Sequence, residues 1–221
     1  MERHFEVKIE ELKRILVMMG AFVEKALEEA VDALLTKDSA RFQRVHEIEK
    51  NINDEQVRID NFCIELLAKL GPVAKDLRFI VAVIKINTDL ERMGDQCVNI
   101  AYNGHDYLKQ NVSIDCPEIS QMVTDVKAMV KKSLDAFVKG DEQLAQTVML
   151  MDDSVDANKN AVLHRLEAWM MENPQHIRPA LNLILIARNL ERLGDHATNI
   201  AEDVIFASSG RDIRHGKDSR P

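Results

Sequence analysis

The chain has little of what breaks helices or staples small folds. Its 221 residues include only 8 Gly, 5 Pro and 3 Cys, and aromatic residues make up 5%. So few helix breakers exclude collagen-like, low-complexity and turn-dense architectures. Cys63, Cys97 and Cys116 are odd in number and show no paired spacing. That excludes a disulfide framework and a paired-cysteine zinc motif, and it points to a reducing, cytoplasmic setting. No apolar run approaches the roughly 18 residues that cross a bilayer, since Ile80–Ile84 and Leu183–Ala187 are each only about five long. Near the start, Glu2, Arg3, Glu6, Lys8, Glu10 and Glu11 interrupt any stretch resembling the core of a secretory signal. The chain also lacks a glycine-rich phosphate loop and a nucleophile elbow. A net charge of −8 argues against nucleic acid as the main partner and against direct binding to an anionic membrane. Any membrane contact is therefore expected to be peripheral and through partners.

What is present points to helices. With 46% hydrophobic and 30% charged residues, the composition suits a helical protein with a substantial core. One stretch occurs twice. Residues 90–101 read Leu-Glu-Arg-Met-Gly-Asp-Gln-Cys-Val-Asn-Ile-Ala, and residues 190–201 read Leu-Glu-Arg-Leu-Gly-Asp-His-Ala-Thr-Asn-Ile-Ala. The offset of 100 residues, from Glu91 to Glu191, also holds for Arg78 and Arg178, Ile84 and Ile184, and Ile86 and Ile186. A repeat this close implies two copies of one structural unit.

Apolar residues recur at helical spacing nearly throughout. A first helix is expected over about 5–35, with Leu12, Ile15, Val23, Leu27, Val31 and Leu34 inward. Thr36-Lys37-Asp38-Ser39 breaks it, and Asp38 or Ser39 is placed to cap a second helix that stops at Gly71-Pro72. A third carries Val83, Ile86, Leu90, Met93, Cys97 and Ile100 in the three-four rhythm of an inter-helix seam and fades near Asn111. The pattern then repeats: a fourth helix follows Asp115-Cys116-Pro117, where Asp115 is able to cap and Pro117 to start it, and runs to about Lys139. A fifth extends from Gly140-Asp141 to Asn173-Pro174, and a sixth carries Leu183, Ile186, Leu190, Leu193, Ala197 and Ile200 to about Gly210. The expected fold is all-α: two tandem three-helix bundles, over 1–112 and 113–210, related by internal pseudo-two-fold symmetry. Residues 211–221 form a polar tail, anchored at most by Ile213.

The repeated segment places Glu91 one turn before Asp95 and Glu191 one turn before Asp195. At about 100° per residue these acids, with Thr88, Asn99 and Asn199, fall on the side roughly opposite the seam. An ordinary solvated face is one reading. Two repeated costs argue for more. Like charges four apart repel by about 0.2–0.5 kcal/mol, and Gly94 and Gly194 each cost about 1 kcal/mol relative to Ala inside a helix. The preceding helices offer a second pair at the same spacing: Glu49 with Asn53, just after Ile48, and Asp152 with Asp156, just after Met151. Facing helices would then present four oxygen-bearing side chains to each other, a costly arrangement unless a cation neutralises it. Oxygen donors without thiolates suit iron, manganese, magnesium or zinc. His46, His105, His164 and His196 read as surface or satisfied polar groups, with His196 at most an outer neighbour of Asp195. Arg92 and Arg192 are candidates for a salt bridge to a neighbouring helix or for partner contact.

With both copies of Glu-Arg-hydrophobic-Gly-Asp in view, the chain resembles the PhoU family of bacterial phosphate-uptake regulators. The resemblance spans nearly the whole length, from Ala74-Lys75-Asp76-Leu77-Arg78 through both repeats to Arg211-Asp212-Ile213-Arg214-His215. It implies two three-helix bundles and multinuclear iron or zinc clusters held by (Glu/Asp)-x-x-x-Asp motifs. The implied ligands are Glu49, Glu91 and Asp95 in one half, and Asp152, Asp156, Glu191 and Asp195 in the other. Asn53, Asn99 and Asn199 are possible further ligands or neighbours, and Asn53 replaces the Asp of the family pattern. Weaker metal occupancy is therefore expected in the first half. The resemblance further implies a non-enzymatic negative regulator of the phosphate-starvation response. It would couple the ATPase of a phosphate ABC transporter to a phosphate-sensing histidine kinase on the cytoplasmic side, as a homodimer or higher oligomer. Two rival readings use the same acids differently. A di-iron oxidase takes ligands from Glu-x-x-His motifs inside a bundle, and no glutamate here has a histidine three places on. A metal-free scaffold would use the same acidic pairs to bind a basic partner surface.

Overall fold

The structure is a computed structural model that describes residues 2–213. Six long helices account for nearly all of it: α1 (Glu2–Thr36), α2 (Ala40–Leu70), α3 (Ala74–Lys109), α4 (Pro117–Lys139), α5 (Glu142–Glu172) and α6 (Ile177–Ser209). One 3-10 turn, Pro174–His176, leads into α6, and the described residues form no strand.

Each boundary has a local cause. Gly71 and Gly140 terminate α2 and α4 at φ 53° and 64°, a left-handed conformation that a Cβ would penalise. Asp141 caps α5, its side chain accepting from the Leu144 N–H at 3.0 Å. Pro117 opens α4, where its missing N–H costs nothing. One cap departs from expectation, that of α4, whereas α2 begins at the expected Asp38-Ser39. Cys116, not Asp115, holds the cap position of α4, and it makes no side-chain cap bond. At α2, Ser39 holds the cap position without bonding, while Asp38 Oδ1 accepts from the Ala40 N–H at 3.0 Å.

The seams form the core. Val83, Ile86, Leu90, Met93, Cys97 and Ile100 of α3 have no exposed surface, and Leu190, Leu193, Ala197 and Ile200 of α6 match them. Burying each large apolar side chain contributes about 1.5–3 kcal/mol, so the two stripes decide how the helices pack. α1 and α2 pack on α3, α4 and α5 pack on α6, and the α3–α6 pairing is the most extensive between elements. The two bundles thus share one continuous core.

α3 and α6 run antiparallel. Lys85 Nζ lies 2.8 Å from Asp203 Oδ1, His196 Nδ1 lies 2.8 Å from Asp89 Oδ1, and Arg178 Nη2 lies 3.8 Å from Asp106 Oδ2. This register lays the two repeated segments across each other, with Met93 and Leu193 at the pseudo-two-fold. α1 and α4 meet on the other side at Gly20, where a Cβ would fall 2.5 Å from Leu134 Cδ1. Beyond α6, Arg211 Nη2 lies 3.0 Å from Glu142 Oε2 and Ile213 packs against the core, so the start of the tail is tied down. The rest of the expected tail, 214–221, lies outside the described residues. No helix among them is long and apolar enough to cross a membrane.

Candidate metal centres

Both acidic pairs of each half converge where neighbouring helices touch. In the first half, Ile48 and Ile52 of α2 are buried, Ile52 against Gly94 of α3, and Glu49 comes close enough to Glu91 for its charge to act on that carboxyl. The Asn53 amide donates to Glu49 Oε1 at 2.6 Å. Arg92 sits over its own helix, with Nε 3.5 Å from Glu91 Oε2 and Nη1 3.5 Å from Asp95 Oδ2. Burial raises the Glu91 carboxyl above the usual range, and the charges of Asp95 and Glu49 add to the shift against the opposing Arg92.

In the second half, Asp152 and Asp156 of α5 face Glu191 and Asp195 of α6. Burial, then the charges of Glu191, Asp152 and Asp156, push Asp195 up to about 6, although its side chain keeps an open face to solvent. Asp152 is raised by burial and then by Asp156 and Asp153. Here the neutralising cation comes from the adjacent helix. Lys159 Nζ donates to Glu191 Oε1 at 3.1 Å and to Asp156 Oδ1 at 3.4 Å. The Glu191 hydrogen bond in turn holds the Lys159 ammonium above its ordinary pKa.

Glu91 and Glu191 lie on the helix flanks rather than on the outward side that simple helical geometry suggests, whereas Asp195 is exposed as that geometry has it. Glu91 and Glu191 keep only 19% and 21% of their side-chain surface, because α2 and α5 cover one side of each. The repeated glycines explain part of this approach, and not equally. A Cβ on Gly94 would lie 3.1 Å from Ile52 Cδ1, tighter than an ordinary contact. On Gly194 it would meet Asp152 Oδ1, Met129 Cε and Val155 Cγ1 at an ordinary 3.6 Å. Gly94 is therefore tightly packed, so that a side chain there needs Ile52 to give way, and Gly194 leaves space beside a carboxylate.

The remaining candidates are placed elsewhere. Asn99 is exposed, its carbonyl accepting from Asn103. Asn199 donates to Asp89 Oδ1 at 3.2 Å, joining His196 at the α3–α6 crossing rather than the second cluster. Arg192 is exposed and, among the described residues, makes no ion pair, so its helix-mate role differs from that of Arg92. Sequence reasoning missed Lys159 and Asp89. Lys159 carried a signal, since it follows Asp156 at helical spacing and shares the face of Asp152 and Asp156.

As they stand, no three of these side chains among the described residues are drawn together around a single metal-ion position. The donor set nonetheless suits a hard or borderline cation: carboxylates only, from two helices, with Glu91, Asp152 and Asp195 raised above the usual carboxylate range and an ammonium already recruited between Glu191 and Asp156. Glu49, Glu91 and Asp95 would hold an ion in the first half, and Asp152, Asp156, Glu191 and Asp195 in the second.

The fold and site together define a tandem three-helix-bundle protein with a carboxylate cluster on each repeat. The PhoU domain model matches twice, over residues 16–103 and 119–204, and the chain belongs to the PhoU family. It is 39% identical to a phosphate-specific transport system accessory protein PhoU homolog of Pseudomonas aeruginosa, over 96% of this chain and 88% of that one. The corresponding protein of Escherichia coli is 31% identical over the same shares. The crystal structure of PhoU from Pseudomonas aeruginosa superposes with a TM-score of 0.90 at 39% identity, over 93% of this chain and 99% of that one. A phosphate transport system regulatory protein PhoU from Streptococcus pneumoniae gives 0.87 at 27% identity, over 94% and 98%.

Proposed function

We propose that this chain is an accessory regulator of phosphate uptake that represses the phosphate-starvation response when phosphate is plentiful. It does so from the cytoplasmic side, coupling the ATPase of the phosphate ABC transporter to its sensor histidine kinase, as a homodimer or higher oligomer. The observation that carries this reading is the 39% identity, across 96% of the chain, to a phosphate-specific transport system accessory protein. The long helical surfaces suit binding, and the reading assigns no catalytic step to any residue. Disrupting the gene should leave alkaline phosphatase and other scavenging genes switched on in high phosphate. Normal repression in the disrupted strain would count against it.

The carboxylate clusters are read as sites for multinuclear iron or zinc, with manganese or magnesium as alternatives. What supports this is the chemistry of the donors: four carboxylates across α5 and α6 repel one another, and burial makes the repulsion costlier. A bound cation supplies the charge that offsets this and fixes α5 against α6. The second cluster, with one carboxylate more than the first, is the stronger site. Elemental analysis of protein purified without chelator and then reconstituted should find metal above background. If none is found, the acidic pairs are a metal-free surface for a basic partner.

A further inference from the structure

Lys159 is placed as a cation inside the second cluster. Its ammonium reaches Glu191 on α6 at 3.1 Å and Asp156 on α5 at 3.4 Å, so it spans the two helices whose carboxylates would ligate a metal. Its side chain is 31% exposed, against 58% for Arg92 in the first half, whose two contacts are both 3.5 Å. The register of α2 that matches Asp152 and Asp156 with Glu49 and Asn53 puts Gln56 where α5 has Lys159. Among the described residues, the first half therefore has no lysine bridging α2 and α3 at its acids. Beside Lys159 opens a cavity of about 220 Å³ with an apolar floor of Val162, Leu163, Ile184 and Ala187. Glu191 and Arg188 are its only other charged liners, so the cavity gives the lysine stem room to move and its ammonium no second carboxylate to bind.

Resting on the cluster reading above, we propose that Lys159 is a built-in counter-ion that an incoming metal must displace, which makes the second cluster a competitive, self-regulated site. Without metal, the ammonium holds α5 against α6 and limits carboxylate repulsion. With metal, Glu191 and Asp156 turn to the ion and Lys159 swings out along the α5–α6 groove. Monovalent cations, which match only its single charge, gain nothing by replacing it; divalent and trivalent ions do. The first cluster has no such gate.

The test titrates the metal-free full-length protein with Mn²⁺ and Zn²⁺ by calorimetry, for wild type, Lys159→Met and Lys159→Arg. Losing two partly exposed ion pairs should tighten binding by Lys159→Met roughly three- to tenfold. Lys159→Arg keeps the charge and should bind no tighter than wild type. A second readout follows the amine itself. Acetylation of Lys159, quantified by mass spectrometry, should be slow in metal-free protein and faster once Zn²⁺ is bound. If wild type binds metal but Lys159→Met binds no tighter and labelling does not change, the displacement proposal is overturned and the cluster reading stands. If neither wild type nor Lys159→Met binds either ion, both are overturned.

Discussion

The two halves of this molecule are near copies in packing and unequal in charge. Met93 and Leu193 are equally buried at the pseudo-two-fold, and each seam repeats position by position. Beside those seams the first half holds three carboxylates, an amide at Asn53 and an arginine reaching back along its own helix. The second holds four carboxylates and a lysine that crosses between helices. Packing resists drift because a buried position must keep its volume. A half-exposed flank tolerates change of charge as long as the repulsion is offset somehow, and the two halves offset it differently.

Exchanging the differing position should have the largest effect. Asn53→Asp gives the first half its fourth carboxylate and should raise its metal occupancy, while Asp156→Asn should lower that of the second. Elemental analysis of the two variants after reconstitution reads both changes, and unchanged stoichiometry in both would break the comparison.

The pH response of the metal-free protein is the next lever. Asp195 titrates at about 6 in the fold against an ordinary value of 3.8, so between these values the folded chain binds more protons than the unfolded one. The contribution of this group to stability is therefore fullest at low pH and is lost as the pH rises through about 6. Raised Asp152 and Glu91 act in the same direction, whereas Glu118, held low by its hydrogen bond from Arg165, acts oppositely. Asp195→Asn isolates the effect. Its melting temperature without metal should exceed that of wild type at pH 8, and the gap should close by pH 5. A gap independent of pH would mean that the crowding of carboxylates around Asp195 carries no strain.

The smallest effect separates the two glycines. Gly194→Ala should stabilise the metal-free protein by up to about 1 kcal/mol through helix propensity, since its Cβ meets only ordinary contacts. Gly94→Ala should gain less or lose stability, because Ile52 must yield first. Urea denaturation of the two variants distinguishes them; equal gains would make the glycines equivalent after all.

Much of this was legible in the residues. Gly71-Pro72, Gly140-Asp141 and Asn173-Pro174 end or begin helices where their chemistry requires, because capping and left-handed turns are local events. The acids of α3 and α6, and their partners on α2 and α5, were legible as well, since spacing along one helix fixes which side chains share a face. The N-terminal cap of α4 was misjudged because several polar residues near Pro117 satisfy the same local pattern. Helical geometry alone also put Glu91 and Glu191 on the outward side. It carries no knowledge of the neighbour, and α2 and α5 cover that flank.

By itself, then, the sequence determined the six helices, their seams, the doubling of the unit and the inequality at position 53, all properties of short-range periodicity and residue identity. Only the tertiary structure decided what lies across each gap: Lys159 against Glu191 at a separation of 32 positions along the chain, Asp89 against His196 at 107, and Ile52 against Gly94. Those contacts depend on the angle and depth at which helices pack, set by the whole core at once, and it is at such contacts that charge is neutralised and the two halves become different.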